Sequence, residues 1–205
     1  MLYELHTHTT YSDGLATPEE LVVYAKAIGL SGIAVTDHDI IDGSLKALEY
    51  ASHRLTVIPG VEVSSDEGHI LALYVTKLIP RDLPAAETIE LIHSQGGLAV
   101  AAHPYDRRRG GVGDLILKLK FDAVEAVNGH TFSNTRDPVA VCLESGISVV
   151  GGSDAHTLRE VGSVAVEFEG DFRTALTSGK LNVKSAHKAK LLFNHGLGIL
   201  KRKLR

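Results

Sequence analysis

Residues 1–36, MLYELHTHTTYSDGLATPEELVVYAKAIGLSGIAVT, decide the fold. A short β-prone run (1–5) leads into His-x-His, a helix signal follows, and a second β-branched run, GIAVT (32–36), closes the unit. Thr17 reads as an N-cap, with Pro18 at the first helical position and Glu20 three residues past the cap. Leu21, Tyr24, Ala25 and Ile28 then share one face, and Gly29 ends the helix. Strand, helix, strand in this order implies a right-handed crossover between parallel strands.

The same alternation continues outward. Strands are expected at 55–64, 69–75, 98–102, 122–127, 147–152 and 163–168, and helices at 42–52, 82–95, 111–120, 134–145 and 171–178. The chain is therefore α/β with a mostly parallel sheet, either open and doubly wound or closed as a barrel. No G-x-G-x-x-G follows the first strand and no G-x-x-x-x-G-K-[ST] occurs, so neither common nucleotide cradle supports the open alternative. With 205 residues, 44% of them apolar, and no linker or repeat, one domain over 1–205 is expected.

The opening MLYELHTH has no basic stretch followed by an apolar run, and nothing approaches the ~18 apolar residues of a membrane span. A cytoplasmic protein without a membrane span is expected. Cys142 is the only cysteine, which excludes an internal disulfide, and AVCLES around it suits a small apolar residue on a helix. Residues 180–205 carry eight of the 21 Lys and Arg and no acid. Such a basic segment either attracts a phosphorylated or nucleic-acid partner or packs its Leu and Phe and leaves its lysines in water.

Histidine is in excess, at 11 of 205 residues. His6 and His8 are two apart at the end of the first strand, so the period of two puts both imidazoles on one face. Asp13 follows in SDG, His38 closes the second strand in TDHD, and Glu62 lies in GVEVS. His69 lies in the fourth strand, His103 ends the fifth in AHP, and Asp154 and His156 repeat the two-apart spacing in SDAH. In a parallel barrel all C-terminal strand ends open on one rim, where such folds build their sites. Nine side chains of this kind on one rim would leave carboxylates and imidazoles desolvated for no gain unless divalent cations bind them. Imidazole with carboxylate and no thiolate suits Mn, Zn or Fe.

LHTHTTYSDG (5–14), AVTDHD (34–39), GVEVS (60–64), GHILALY (68–74), AHP (102–104) and GGSDAH (151–156) together resemble the polymerase and histidinol phosphatase (PHP) family, in the family's order. The resemblance implies a distorted (β/α)7 barrel with two or three divalent ions. It assigns His6, His8, Glu62 and Asp154 to a first ion, and Glu62, as a bridge, with His69 and His103 to a second. Asp13, His38 and His156 go to a third, Asp13 standing where some members have another histidine.

The activity this implies is hydrolysis of a phosphate ester by a hydroxide bridging two ions, with Glu62, Asp154 and His156 as catalytic candidates. The substrate would be a small phosphorylated metabolite, a nucleotide or a short oligonucleotide end. Arg107, Arg108 and Arg109 follow AHP in a glycine-containing loop, so at least one guanidinium is a candidate phosphate clamp. Arg159 is a second candidate. His130 is a candidate proton donor or supporting residue, whereas His53, His93, His187 and His195 fit the surface. Two alternatives stand beside this reading: a metal-dependent hydrolase of C–N or ester bonds, which the arginines disfavour, and a metal-holding accessory module without turnover.

Overall fold

The first helix, α1 (Pro18–Ala27), forms where its capping signals stand. Thr17 accepts from the Glu20 backbone N–H while the Glu20 carboxylate accepts from the Thr17 N–H. α1 buries Leu21, Val22 and Ala25; Ile28 becomes the C-cap and is largely exposed. This architecture belongs to a computed structural model whose described residues are 1–185. The basic stretch 186–205, with His187 and His195, lies outside them.

The strands are β1 (Leu2–Glu4), β2 (Gly32–Val35), β3 (Thr56–Ser65), β4 (Gly68–Leu73), β5 (Leu98–Ala101), β6 (Ala123–Asn128), β7 (Val149–Gly152), β8 (Val164–Glu167) and β9 (Asn182–Ser185). Between them lie α2 (Asp42–Leu48), α3 (Ala85–Ser94), α4 (Pro138–Ser145) and α5 (Phe172–Thr177). α4 starts four residues later than expected, because Asp137 precedes a proline, stays extended, and caps Val139 and Ala140. The expected helix at 111–120 is instead a short 3-10 turn, Gly113–Leu117, entered without a side-chain cap.

The strands form one sheet in the order β7-β6-β5-β4-β3-β2-β1-β8-β9. It is more mixed than the sequence suggested. β4 runs antiparallel to both neighbours because only Asp66 and Glu67 separate Ser65 from Gly68, and a two-residue loop can join only antiparallel strands. β8 and β9 likewise run antiparallel to their partners.

The sheet nearly closes into a barrel. Beyond the ends of β1 and β7, Thr7 bridges Ala155, with His8 N–H donating to Ala155 O at 2.8 Å and Ala155 N–H to His6 O at 3.1 Å. Glycine makes this seam possible: a Cβ on Gly152 would lie 2.5 Å from His6 Cβ. Leu5, Ala34, Ile58, Leu71, Val100, Ala102 and Val150 fill one apolar cluster together with Tyr3, Phe168 and Phe172. Two outer clusters pack α3 and α4 on β3 to β6, and α1 and α2 on β2 and β3; Cys142 is buried in the first of these. Each fully buried Leu or Ile contributes about 1.5–3 kcal/mol, so the rim rests on a stable base. No helix among the described residues is long and apolar enough to cross a membrane.

Candidate metal centre

β3 supplies the carboxylate around which the imidazoles gather. Val61 and Val63 turn into the outer cluster, and the alternation sends Glu62 the other way, where it is fully buried. Its Oε2 lies 3.0 Å from His6 Nε2, 3.3 Å from His8 Nε2 and 3.2 Å from His38 Nδ1. Its Oε1 lies 2.9 Å from His69 Nδ1 and 3.1 Å from His103 Nε2. One carboxylate thus divides five histidines between its two oxygens. His69 reaches this rim because β4 is antiparallel, which puts the start of that strand level with the ends of the parallel ones.

The second buried carboxylate, Asp154, lies 3.2 Å from His8 Nε2, 3.7 Å from His6 Nε2 and 3.6 Å from His156 Nδ1, all through Oδ1. Asp13, half-exposed, meets His156 Nε2 at 3.1 Å and lies 3.7 Å from His8 and 4.0 Å from His38. The structure therefore brings all nine expected ligand residues together. Four sets place one donor atom per residue within 4.8 Å of each other: His8, Asp13, His38 and His156; His6, His8 and Asp154; His38, Glu62 and His69; and His130, Asp154 and His156. His103 and Asp154 hold positive φ, at 30° and 55°, a conformation that costs free energy and is kept where neighbouring structure enforces it.

The charge pattern inside the ring is strongly coupled. Burial alone would protonate Glu62 and Asp154, but His6 and the neighbouring donors, with Arg109 at Asp154, hold both carboxyls well below the usual range. Burial opposes charge on His6 and His8 as well. The carboxylates outweigh it, raising His6 well above its ordinary value and His8 to about 9. Burial and the adjacent His8 ring keep His38 and His156 below theirs.

These residues fit divalent cations. Both ring nitrogens of His8, Nδ1 of His103 and Oδ1 of Asp154 are buried without a hydrogen-bond partner. Orphaned polar atoms of this kind cost several kcal/mol, a cost a cation among them removes. The donor set is nitrogen and oxygen only, which suits Mn, Zn or Fe.

Several supporting residues were not anticipated. Glu125 Oε1 accepts from His6 Nδ1 at 2.9 Å, which orients the ring and leaves Nε2 facing Glu62. Its Oε2 accepts from the His103 N–H and from Asn128 Nδ2, and that amide also donates to Asp154 at 3.0 Å. Glu4, fully buried and pushed up to about 7 by burial, receives the N–H groups of His6, Ser153 and Gly162. Asp37 takes Thr9 and Ser12 and so ties down the loop that carries Asp13. A signal existed for Glu125 and Glu4: each is an acid inside an otherwise apolar strand.

The expected substrate residues separate. Arg109 pairs with Asp154 Oδ2 at 2.5 Å and donates to Asn128 at 3.2 Å. Arg108 lines a cleft of about 400 Å³ beside the ring, together with Arg109, His38, His130 and His156. Arg107 faces a different depression, with Tyr105 and Arg136, and Arg159 lines a third, against Tyr24 and Leu158. Neither of those two reaches the cleft. His130 stacks on His156 with centroids 5.0 Å apart, and its Nε2 lies 3.4 Å from Glu160.

A sequence profile of the PHP domain matches residues 4–159, a stretch that contains every residue of the ring. The chain belongs to the PHP family. A PHP-associated profile also matches residues 139–180. An uncharacterised protein of Methanocaldococcus jannaschii is 35% identical over 142 residues, covering 63% of this chain and 83% of that one. The 5'-3' exoribonuclease Rnm of Salmonella typhimurium is 39% identical over 97 residues, which span 43% of this chain but only 33% of the exoribonuclease. Among solved structures, a two-domain Bacteroides vulgatus protein containing a PHP-like metal-dependent phosphoesterase aligns with a TM-score of 0.73 at 19% identity, covering 90% of this chain and 64% of that one. PsfC from Pseudomonas syringae aligns at 0.74 and 17%, covering 98% and 97%. At such identities these two likenesses are of fold.

Proposed function

We propose that this PHP protein hydrolyses a phosphate ester carried by a small metabolite, a nucleotide or a short oligonucleotide end. The observation that carries the reading is Glu62, whose two oxygens face two different groups of imidazoles. His6, His8 and Asp154 would hold one ion with Glu62 Oε2, and His69 and His103 a second with Oε1. Asp13, His38 and His156 would hold a third. Divalent ions held there would supply activation of a water as nucleophile and positive charge for the phosphoryl oxygens.

The chain's own residues do the remaining work. Glu125 and Asn128 orient His6 and Asp154. Arg109 stands between ring and cleft, where its guanidinium meets charge that develops on a phosphoryl oxygen. His130 lines the cleft, and in this reading it would give the leaving oxygen its proton. Arg108 and Arg109 favour phosphate over a neutral carbonyl substrate. The relationship to an exoribonuclease supports nucleic-acid ends within the substrate class.

The test is turnover after reconstitution with Mn, Zn or Fe, against aryl phosphate, a phosphodiester, nucleotides and 5'-phosphorylated oligonucleotides, with chelator as control. Metal-loaded protein that hydrolyses none of them overturns the reading.

A further inference from the structure

Between His156 and β8 the chain passes through Thr157, Leu158, Arg159 and Glu160, and its two charged residues part company. Arg159 is exposed, whereas Glu160 is only 3% exposed. A carboxylate taken out of water must be paired or hydrogen-bonded to be tolerated. One oxygen has its partners: Oε2 accepts the backbone N–H groups of His156 at 2.9 Å and Thr157 at 2.8 Å. A serine or asparagine could do as much. The other oxygen, Oε1, is buried as well and faces the buried Nε2 of His130 at 3.4 Å. That separation is longer than a closed hydrogen bond, as is common where a reactive pair tightens only around bound substrate.

His130 is held on other sides too. Its backbone N–H donates to Asn128 Oδ1 at 2.8 Å, and its ring lies nearly parallel to that of His156, 14° apart with centroids separated by 5.0 Å. Such a stack fixes the plane of the imidazole but not its sense. A flip about the Cβ–Cγ bond keeps the plane and exchanges ring nitrogens with carbons. A partner for one ring nitrogen selects between the two orientations, and Glu160 Oε1 stands at Nε2.

We propose that Glu160 is the positioning residue of His130: its carboxylate holds Nε2–H and so fixes the ring orientation in which His130 serves the leaving oxygen. This rests on the phosphoesterase reading with His130 as proton source and adds the residue that aims it. As the bond from phosphorus to the leaving oxygen breaks, that oxygen keeps the electron pair and takes a proton from His130. The attacking water replaces that proton, and Glu160 neither gains nor loses one.

The decisive variant is Glu160→Gln, whose remaining carbonyl oxygen can keep the two backbone N–H groups while its NH2 turns toward His130. Two monoesters serve as probes: glycerol phosphate, whose alkoxide needs a proton as it leaves, and 4-nitrophenyl phosphate, whose phenolate leaves unaided. Glu160→Gln should lower kcat for glycerol phosphate by about 10- to 100-fold with KM nearly unchanged, and kcat for the nitrophenyl ester by less than about threefold. In a His130→Ala background the same substitution should have no further effect, because nothing is left for it to act through. Ion content by elemental analysis should stay at the wild-type level. Loss of ions would mean that Glu160 acts by holding His156, and equal losses on both esters, or additive effects in the double variant, would likewise overturn the proposal. Nitrogen-15 NMR of histidine-labelled protein in chelator at pH 8 decides the contact without turnover. Nε2 of His130 should carry a proton in wild type and pass it to Nδ1 in Glu160→Gln; the same tautomer in both proteins refutes the contact. If neither ester is hydrolysed, the phosphoesterase reading fails and the NMR result alone decides whether Glu160 orients His130.

Discussion

Replacing Glu62 by Gln removes one charge and almost no volume, so its effect isolates electrostatics in the metal-free ring. In the wild type His8 titrates at about 9 instead of its ordinary 6.5, held up against burial by Asp154 and Glu62 together. At about 1.4 kcal/mol per pH unit this is roughly 3 kcal/mol, to which Asp154 and Glu62 both contribute. His6 is raised in the same direction, with Glu62 among the causes, so the loss in Glu62→Gln is on the order of 3 kcal/mol at a pH where both imidazoles are charged. For a chain of this size that corresponds to a Tm about 6–12 °C lower. A group whose folded pKa is raised stabilises fully below its unfolded value and ceases to do so as pH rises through the folded one. The deficit of Glu62→Gln should therefore be large at pH 6, shrink from about pH 7 upward, and be small above pH 9. Thermal unfolding in chelator across this range measures it. An equal deficit at pH 6 and pH 9.5 would show that Glu62 acts through packing, and no deficit at pH 6 would refute the charged ring.

Chelator-free protein should carry at least two ions of Mn, Zn or Fe per chain by elemental analysis, and fewer than one after reconstitution would contradict the ring. Because His6 and His8 hold protons in the metal-free protein, ion binding should release protons at pH 7 and tighten as pH rises toward 9; calorimetry in buffers of different ionisation enthalpy counts them. Glu62→Gln should lower kcat at saturating metal more than Asp13→Asn, since Glu62 touches both groups of imidazoles and Asp13 lies on the half-exposed edge; equal losses would unseat Glu62 as the bridge. Arg109→Ala should reduce kcat/KM by about 10- to 100-fold through one lost charge-assisted hydrogen bond, whereas Arg107→Ala should stay within about twofold because it faces another depression. Equal effects of the two would restore the triplet to a single role.

The sequence carried the ring further than it carried the sheet, for physical reasons visible in particular residues. His6 and His8, or Asp154 and His156, are legible because two-residue spacing at a strand end fixes a shared face without reference to the rest of the fold. Strand direction has no such local signature. β4 reads the same in either sense, and only the two residues Asp66 and Glu67 before it require the reversal that delivers His69 to the rim. β9 falls in a lysine-bearing stretch with one β-branched residue, Val183, and its pairing with β8 supplies what its own pattern lacks.

The arginines were legible as a loop in which at least one guanidinium could meet a phosphate, but not one by one. Three consecutive residues of a 3-10 turn point about 120° apart, so Arg107, Arg108 and Arg109 cannot all face one phosphate. The turn itself was knowable in part, since Asp106 before it caps Arg108 and Gly110 after it takes a positive φ. Which arginine faces inward was not, because that depends on Asp154, 45 positions later in the chain, being the partner for Arg109. Glu125 teaches the complementary lesson. An acid buried among Ala123, Val124 and Ala126 must have a partner nearby to be tolerated. Its partners are His6 and the backbone of His103, so the residue least explicable as part of β6 is the one that joins the sheet to the ring.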